Sequence, residues 1–280
     1  MAAIQLVSKF QPYVDELFYA ESQRGLVTNT DFSFDGAKTV KIFKVSTVEM
    51  QDYDRSGANT QPGGSRYGTV GGIGNDIETH TLKKDRSFTF TVDKMDVDET
   101  AQTLAAAAAL ARQLREVTIP EIDTYIYDVM AKDAGTKAAA DSLTASNIFD
   151  KILTGNNTLD NALAPDGGRV LIVTPDIYYM MKRSKDIVME TETGADMRLR
   201  GVIANIDGLQ VIKVPAARLP EKFGFMIAHP VATVAPVKLA DYKIHTDPPG
   251  LSGSLVEGRF YFDAFVLENK AKAIYYQPVK

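Results

Sequence analysis

Ala105-Ala106-Ala107-Ala108-Ala109-Leu110-Ala111-Arg112-Gln113-Leu114-Arg115-Glu116-Val117-Thr118-Ile119-Pro120-Glu121-Ile122-Asp123-Thr124-Tyr125 carries the strongest helix signal in the sequence. Alanine and leucine have high helix propensity. Leu110, Leu114, Val117, Ile122, Tyr125, Ile126 and Val129 recur at helical spacing, which makes one face apolar. Upstream, Asp98 is expected to cap the N-terminus, with Glu99 in the first turn. Pro120 either kinks one long helix or opens a second one at its first position. Gly135 reads as the stop. The whole stretch, 98–134, is unusually long for a small domain.

Downstream, residues 136–222 read as a compact α/β unit. Thr144 is expected to cap a helix whose buried face is Ile148, Phe149, Ile152 and Leu153, with Leu143 and Ile148 as a hydrophobic staple. Val170-Leu171-Ile172-Val173 is a short, continuously apolar strand. Thr174-Pro175 opens a helix holding Ile177, Tyr178 and Met181. Leu209 to Val214 is a second strand. Residues 223–280 are β-rich. From Phe260 to Leu267 both alternating rows are largely apolar, which predicts burial on both faces. Ala273 to Tyr276 reads as a final strand.

Upstream of the helix, Thr39 to Val48 is rich in β-branched residues and reads as a strand. Seven glycines then fall between Met50 and Asn75, with little apolar content. Asp76 to Val92 returns to strand character, and Phe88, Phe90 and Val92 alternate with Ser87, Thr89 and Thr91. The middle, His80 to Arg86, is polar on both faces. The whole predicts a long two-stranded excursion with a Gly-rich tip. Such a ribbon is marginal alone in water. Its own chain offers it no obvious support, so a second copy of the protein is the natural one. Residues 1–36 read as an arm, with a short amphipathic helix at Val14, Leu17 and Phe18 that needs something to dock on.

Composition narrows the function. The chain has 280 residues, 45% hydrophobic and 24% charged, and no cysteine. Ordinary globular composition excludes a wholly disordered chain, and the missing cysteines exclude disulfides and thiolate sites. The net charge of −5 argues against coating DNA as the main task. No apolar run reaches the ~20 residues of a membrane-spanning helix, and no secretory signal is visible. His80, His229 and His245 are too far apart in sequence for a helix-borne metal site. Gly250-Leu251-Ser252-Gly253-Ser254 fails the nucleophile-elbow pattern at its last position. Gly68 to Gly74 lacks the helix and lysine of a phosphate loop, and the turn Val173-Thr174-Pro175 lacks the glycines of a nucleotide fold. Asp52/Asp54 and Asp96/Asp98 fit no calcium loop. No catalytic, cofactor or metal site is expected.

The order of elements resembles the major capsid protein of tailed bacteriophages with the HK97-type fold. Three stretches carry the resemblance over nearly the whole chain: Val117 to Tyr125, with its Val-x-Ile-Pro-Glu-Ile-Asp-x-Tyr pattern; Gly201 to Pro215; and Gly258 to Val266. The resemblance implies an α+β fold. Its parts are an N-terminal arm (1–36), an extended β-hairpin called the E-loop (37–92), a peripheral domain with the spine helix (93–135) and a β-sheet (223–280), and an α/β axial domain (136–222). It implies hexamers and pentamers in an icosahedral shell around double-stranded DNA, held by non-specific contact only and with no membrane. A separate scaffolding protein and a portal are the implied partners, with assembly in the host bacterial cytoplasm and the virion as destination. Because the arm starts at Met1, no large N-terminal cleavage is expected.

Intersubunit contacts are expected at Lys83, Lys84, Asp85 and Arg86 of the E-loop, and at Glu190, Glu192, Asp196 and Arg198 in a loop meeting around the symmetry axes. In some relatives an E-loop lysine forms an isopeptide with a neighbour's asparagine. Nothing selects Lys83 or Lys84 with Asn269 here, and both read as solvated lysines. An encapsulin-like compartment, loaded with enzymes instead of DNA, is the alternative within the fold. A soluble α/β hydrolase would need convergent titratable groups in a buried pocket, and the sequence displays none.

Overall fold

The computed structural model describes residues 21–29, 39–57, 64–69, 71–99, 105–184 and 205–280. Val14, Leu17 and Phe18 of the expected arm helix lie outside them. The chain forms two compact units: a ribbon, Phe34–Leu82, and a body made of Met1–Ser33 with Lys83–Lys280.

In the ribbon, β1 (Thr39–Val45) and β2 (Asn75–Thr81) pair antiparallel, with Phe43 opposite Ile77. The ladder is closed by Ser46, whose backbone N–H and hydroxyl donate to the Gly74 carbonyl at 3.0 Å each. Beyond it, polar turns order the chain. The Asp54 carboxylate accepts from the Ser56 and Gly57 amides, and Gln51 accepts from the Thr69 amide at 2.6 Å. The Asx turn at Asp54 and the bond from Gln51 fasten the described residues of this segment through polar contacts.

In the body, β3 (Lys84–Asp93) runs into α1 (Lys94–Glu99). Asp93 caps this turn, accepting from the Met95 amide at 2.8 Å. Asp98 therefore lies inside α1 and is not the cap of the long helix, which starts as α2 (Ala106–Gln113) without a side-chain cap. A π-helical turn, Leu114–Thr118, joins α2 to α3 (Ile119–Asp133). Pro120 has no N–H to give the preceding turn. The wider π turn absorbs that loss, so the helix runs on through the proline. At the far end, Gly135 does more than stop the helix. A Cβ there would sit 2.5 Å from the Ala271 carbonyl, and its amide donates to that same oxygen at 2.9 Å.

The central sheet is mixed and six-stranded. Its order is Thr136–Lys137, Ile274–Pro278, Phe223–Ala228, Val170–Val173, Leu209–Lys213, Asn205–Ile206. We label β4 (Val170–Val173), β5 (Leu209–Lys213) and β6 (Phe223–Ala228). The sequence reading kept Phe223–Ala228 and Ile274–Pro278 apart from the α/β unit; the structure inserts both into its sheet, because β6 pairs directly with β4. All of β4 is buried because both faces are covered. Leu171 and Val173 meet α4 (Ile148–Asn161) and α5 (Pro175–Arg183) through Ile148, Ile152, Ile177 and Met181. Val170 and Ile172 meet Ile122, Ile126 and Met130 of α3. Each such side chain contributes roughly 1.5–3 kcal/mol by leaving water.

The caps of α4 and α5 differ. Thr174 caps α5 as expected, accepting from the Ile177 amide at 3.3 Å. α4 begins at Ile148, not directly after Thr144. Asn147 fastens the intervening turn by accepting from the Thr144 amide and donating to the Ser142 carbonyl. Leu143 and Ile148 are both buried in the same cluster.

A separate three-stranded antiparallel sheet orders β7 (Val237–Thr246), β8 (Gly253–Phe262) and β3. The sequence reading gave Lys84 to Val92 to the excursion. In the structure β3 belongs to the body, paired along its length with β8. The reason is tertiary: Phe88, Phe90 and Val92 form half a face whose other half comes from Val256, Phe260 and Phe262. From Phe262 to Leu267 every residue is buried, but the expected single strand is broken: β8 ends at Phe262, and Phe265–Val266 pairs instead with Thr233–Val234. No helix among the described residues is long and apolar enough to cross a membrane.

Candidate functional site

Two of the three stretches singled out in the sequence meet in space, and their polar residues are joints. Glu121 of α3 accepts from Arg86 Nε at 2.6 Å. Asp123 is buried, accepts from Ser22 Oγ at 2.8 Å and Arg218 Nη1 at 3.0 Å, and has Arg24 at 3.8 Å. Burial raises its carboxyl pKa against the lowering pull of Ser22, Arg24 and Arg218. Tyr125 donates to Asp263 at 2.6 Å and meets Phe262 edge-on. Burial, reinforced by the Asp263 carboxylate, pushes the phenol pKa up. Gly258 leaves room for the Phe88 ring, which a Cβ would meet at 2.4 Å. In the remaining stretch, Asp207 and Gly208 turn with positive φ between Asn205–Ile206 and β5. Asp207 accepts there from Asn156 of α4 at 2.8 Å. Nothing in the sequence named Asp123 and Asp263 as partners of residues 95 or more positions away.

The expected contact residues 83–86 are engaged within their own chain. The Lys83 amide donates to Asp263 at 3.0 Å. Lys84 Nζ lies 4.8 Å from the Tyr125 ring centre. Asp85 accepts a two-pronged bond from Arg259 at 2.9 and 2.5 Å, and that bond lowers the Asp85 pKa. Arg86 holds Glu121. Glu190, Glu192, Asp196 and Arg198 lie outside the described residues.

Surfaces left open are apolar. On one face of the ribbon, Phe43 is 66% exposed, its cross-strand partner Ile77 43% and Val45 69%. The other face carries an ionic group, with Glu78 3.0 Å from Lys44 and 2.6 Å from His80. On the body, Tyr242 and Ile244 of β7 lie exposed in register with Gly258 and Val256. This extends the apolar face of the three-stranded sheet to its edge.

A groove of about 410 Å³ over β3, β7 and β8 is lined by Asp241, Lys243, Glu257 and Arg259. Each has an ionic partner: Asp241 with Lys243, Glu257 with His245, Arg259 with Asp85. His229 is held between the Val231 amide and the Gly167 carbonyl. Among the described residues no three His, Asp or Glu side chains are placed to hold a metal ion.

Comparison with known proteins gives these surfaces a context. The model of a phage capsid protein family matches residues 76–277. No curated protein matches the sequence. Among solved structures, the fold is similar to that of Mycobacterium phage Che8, with a TM-score of 0.77 at 18% identity over 97% of this chain and 96% of that one. It is similar to the capsid of cyanophage P-SCSP1u at 0.77 and 13% identity, covering 98% and 93%. The virus-like particle of Pyrococcus furiosus is similar at 0.51 and 12% identity, covering 92% of each chain. With 202 of 280 residues inside the family match and an HK97-type architecture of ribbon, spine helix and two sheets, the chain belongs to the phage capsid protein family, as a structural major capsid protein.

Proposed function

We propose that this subunit assembles with its copies into hexamers and pentamers of an icosahedral shell that encloses double-stranded DNA. The observation that carries the reading is the pair of open apolar faces, Phe43–Ile77–Val45 on the ribbon and Tyr242–Ile244 on the body. Contiguous exposed apolar side chains of this kind mark interaction surfaces. Many such modest contacts sum to a stable closed particle while each remains reversible. The ribbon face seats on a neighbour's body. The charged groups at 83–86 flank that contact, and Glu190, Glu192, Asp196 and Arg198 meet around the symmetry axes.

The residue inventory supports a non-catalytic role, since the buried carboxylates Asp123 and Asp263 are used to join segments. Packaged DNA is held loosely, in keeping with the net charge of −5. Scaffolding and portal proteins are separate chains, and assembly takes place in the bacterial cytoplasm. The domain scheme follows the family: arm, E-loop, spine helix, axial unit and peripheral sheet. Negative-stain microscopy and sedimentation of the purified protein test this reading. Closed shells or capsomers are expected, and a non-associating monomer at every concentration would overturn it. Particles filled with packed enzyme and lacking a portal vertex would move the reading to an encapsulin-like compartment.

A further inference from the structure

The outer strand of the three-stranded sheet leaves one side of its backbone unused. The strand order is β7, β8, β3, so β7 pairs within the sheet on one side only. Every residue from Ala240 to Asp247 is exposed. The Asp247 amide donates to the Gly253 carbonyl at 2.7 Å, and the register sets Thr246 opposite Ser254 and Asp241 opposite Arg259. Hydrogen bonding alternates along an antiparallel pair, so residues 241, 243 and 245 bond to β8. On the other side of β8, the Lys94 amide donates to the Ser252 carbonyl at 3.1 Å. That gives the even-numbered residues of β8 to β3 and agrees with the same phase. The N–H and C=O groups of Ala240, Tyr242 and Ile244 therefore point to the free edge.

An open edge of this kind is a template for another strand, and sheets blunt it with short length, proline or a bulge. β7 is ten residues long, and from Ala240 to Thr246 it has neither a proline nor a register shift. Its two formal charges there, Asp241 and Lys243, are opposite in sign and stand symmetrically about Tyr242.

That symmetry makes the edge complementary to itself. Antiparallel pairing of two copies about an axis at Tyr242 sets Asp241 opposite the partner's Lys243, and Lys243 opposite the partner's Asp241. Ala240, Tyr242 and Ile244 exchange backbone bonds with the partner's Ile244, Tyr242 and Ala240. The charges fall in the non-hydrogen-bonded pairs, where Cα atoms come within about 4.5 Å and side chains interact most closely. The backbone phase allows two neighbouring registers. One sets Asp241 against the partner's Asp241, the other Lys243 against the partner's Lys243, and both are penalised by like charges. Within each copy Arg259 stands opposite Asp241 and Glu257 opposite Lys243. Across the junction the signs thus alternate from Arg259 through Asp241 and the partner's Lys243 to the partner's Glu257.

We propose that β7 of one subunit pairs edge to edge with β7 of a second copy about a two-fold axis at Tyr242, joining two three-stranded sheets into one. This rests on the self-assembly reading above and adds one contact to it. Neighbours around a ring of five or six meet head-to-tail, whereas this contact uses the same patch on both copies, so it links one capsomer to the next. It uses the edge of the sheet and leaves the apolar face free for the ribbon.

The test sets folding against assembly. Tyr242→Pro removes an outward N–H and no bond to β8, a placement that edge strands tolerate, so the subunit's thermal midpoint is expected to stay close to the parent's. The yield of closed shells by sedimentation is expected to fall about tenfold, as when a contact loses a decade of affinity. Asp241→Lys alone and Lys243→Asp alone each set like charges across the axis and should lower the yield similarly. Mixed in equal amounts, the two variants restore opposite charges between unlike chains and should recover most of it, which a folding defect would not allow.

The chain has no cysteine. Mild oxidation of Tyr242→Cys particles should give a covalent dimer on a non-reducing gel, since the paired Cα atoms stand about 5.5 Å apart in this register. Thr246→Cys, whose two copies lie roughly 27 Å apart along the strands, should give none. Normal shell yield from Tyr242→Pro, no recovery in the charge-swapped mixture, no dimer from Tyr242→Cys or an equal dimer from Thr246→Cys would overturn the pairing while leaving self-assembly standing. An unaltered chain that never associates would overturn self-assembly and this pairing with it.

Discussion

The ribbon between Phe34 and Leu82 and the body that carries the spine helix are built from the same kinds of residue and use them in opposite ways. In the body, Ile122, Ile126 and Met130 of α3 close over Val170 and Ile172, and Leu171 and Val173 are covered from the other side. No described ribbon residue belongs to either apolar cluster. Leu82 is buried, but Phe43, Val45, Met50, Tyr67 and Ile73 of the ribbon are exposed. Backbone and Asx-turn hydrogen bonds give the ribbon its shape, but such bonds add little net stability in water. The described body buries its apolar residues within itself; the described ribbon leaves most of its own in solvent.

Removing the ribbon's far end is the strongest way to press this contrast. Replacement of residues 50–72 by a short Gly-containing turn should leave the body's thermal midpoint close to the parent's. It should abolish closed shells in sedimentation and microscopy. Normal particles from that variant would strip the ribbon tip of its role.

Single side chains sharpen the comparison. Ile126→Ala opens a cavity between α3 and the central sheet, where Ile126 is 1% exposed. It should cost about 2–5 kcal/mol in urea unfolding. Phe43→Ser should change subunit stability by no more than about 0.5 kcal/mol while lowering shell yield. A Phe43→Ser loss as large as that of Ile126→Ala would mean that the ribbon face already has an internal partner.

Glycine gives a smaller version of the same contrast. Gly135→Ala places a Cβ 2.5 Å from the Ala271 backbone. Neither chain segment can yield without moving the end of α3, so a cost of roughly 1–3 kcal/mol is expected. Gly72→Ala meets nothing within 4 Å and should be silent in the same measurement.

What could be read from the sequence follows the same division. Local signals were legible: the alanine run and its leucines, the Thr174-Pro175 start of α5, the all-apolar β4. The HK97-type architecture was legible from the order of such elements and from three short stretches. Long-range pairing was not. β3 pairs with β8 across more than 150 positions, and no local pattern in Lys84 to Asp93 says which strand completes its apolar half. The π turn at Leu114–Thr118 leaves no composition signal beyond Pro120, because it is the helix's response to a missing amide. Asp123 and Asp263 looked like ordinary polar residues until their partners arrived from distant segments.

The smallest expected effect comes from a contact that looks strong on geometry alone. Arg259 grips Asp85 with two short bonds, yet both side chains are largely exposed. Exposed pairs gain little, because water and salt screen them. The arginine's hydrogen bond lowers the Asp85 pKa. The pair therefore contributes at pH above the ordinary carboxylate range and loses that contribution as pH falls through the lowered folded value. Asp85→Asn should shift the urea midpoint slightly at neutral pH and low salt. The shift should fade at high salt, and fade again in acid, where the parent's carboxylate is protonated too. A shift that persisted under both conditions, or exceeded that of Gly135→Ala, would mean that Asp85 is a buried joint like Asp123 and Asp263. The body's charged surface would then be part of its core, and the division between a body that buries its apolar residues and a ribbon that exposes most of its own would have to be redrawn around ionic joints.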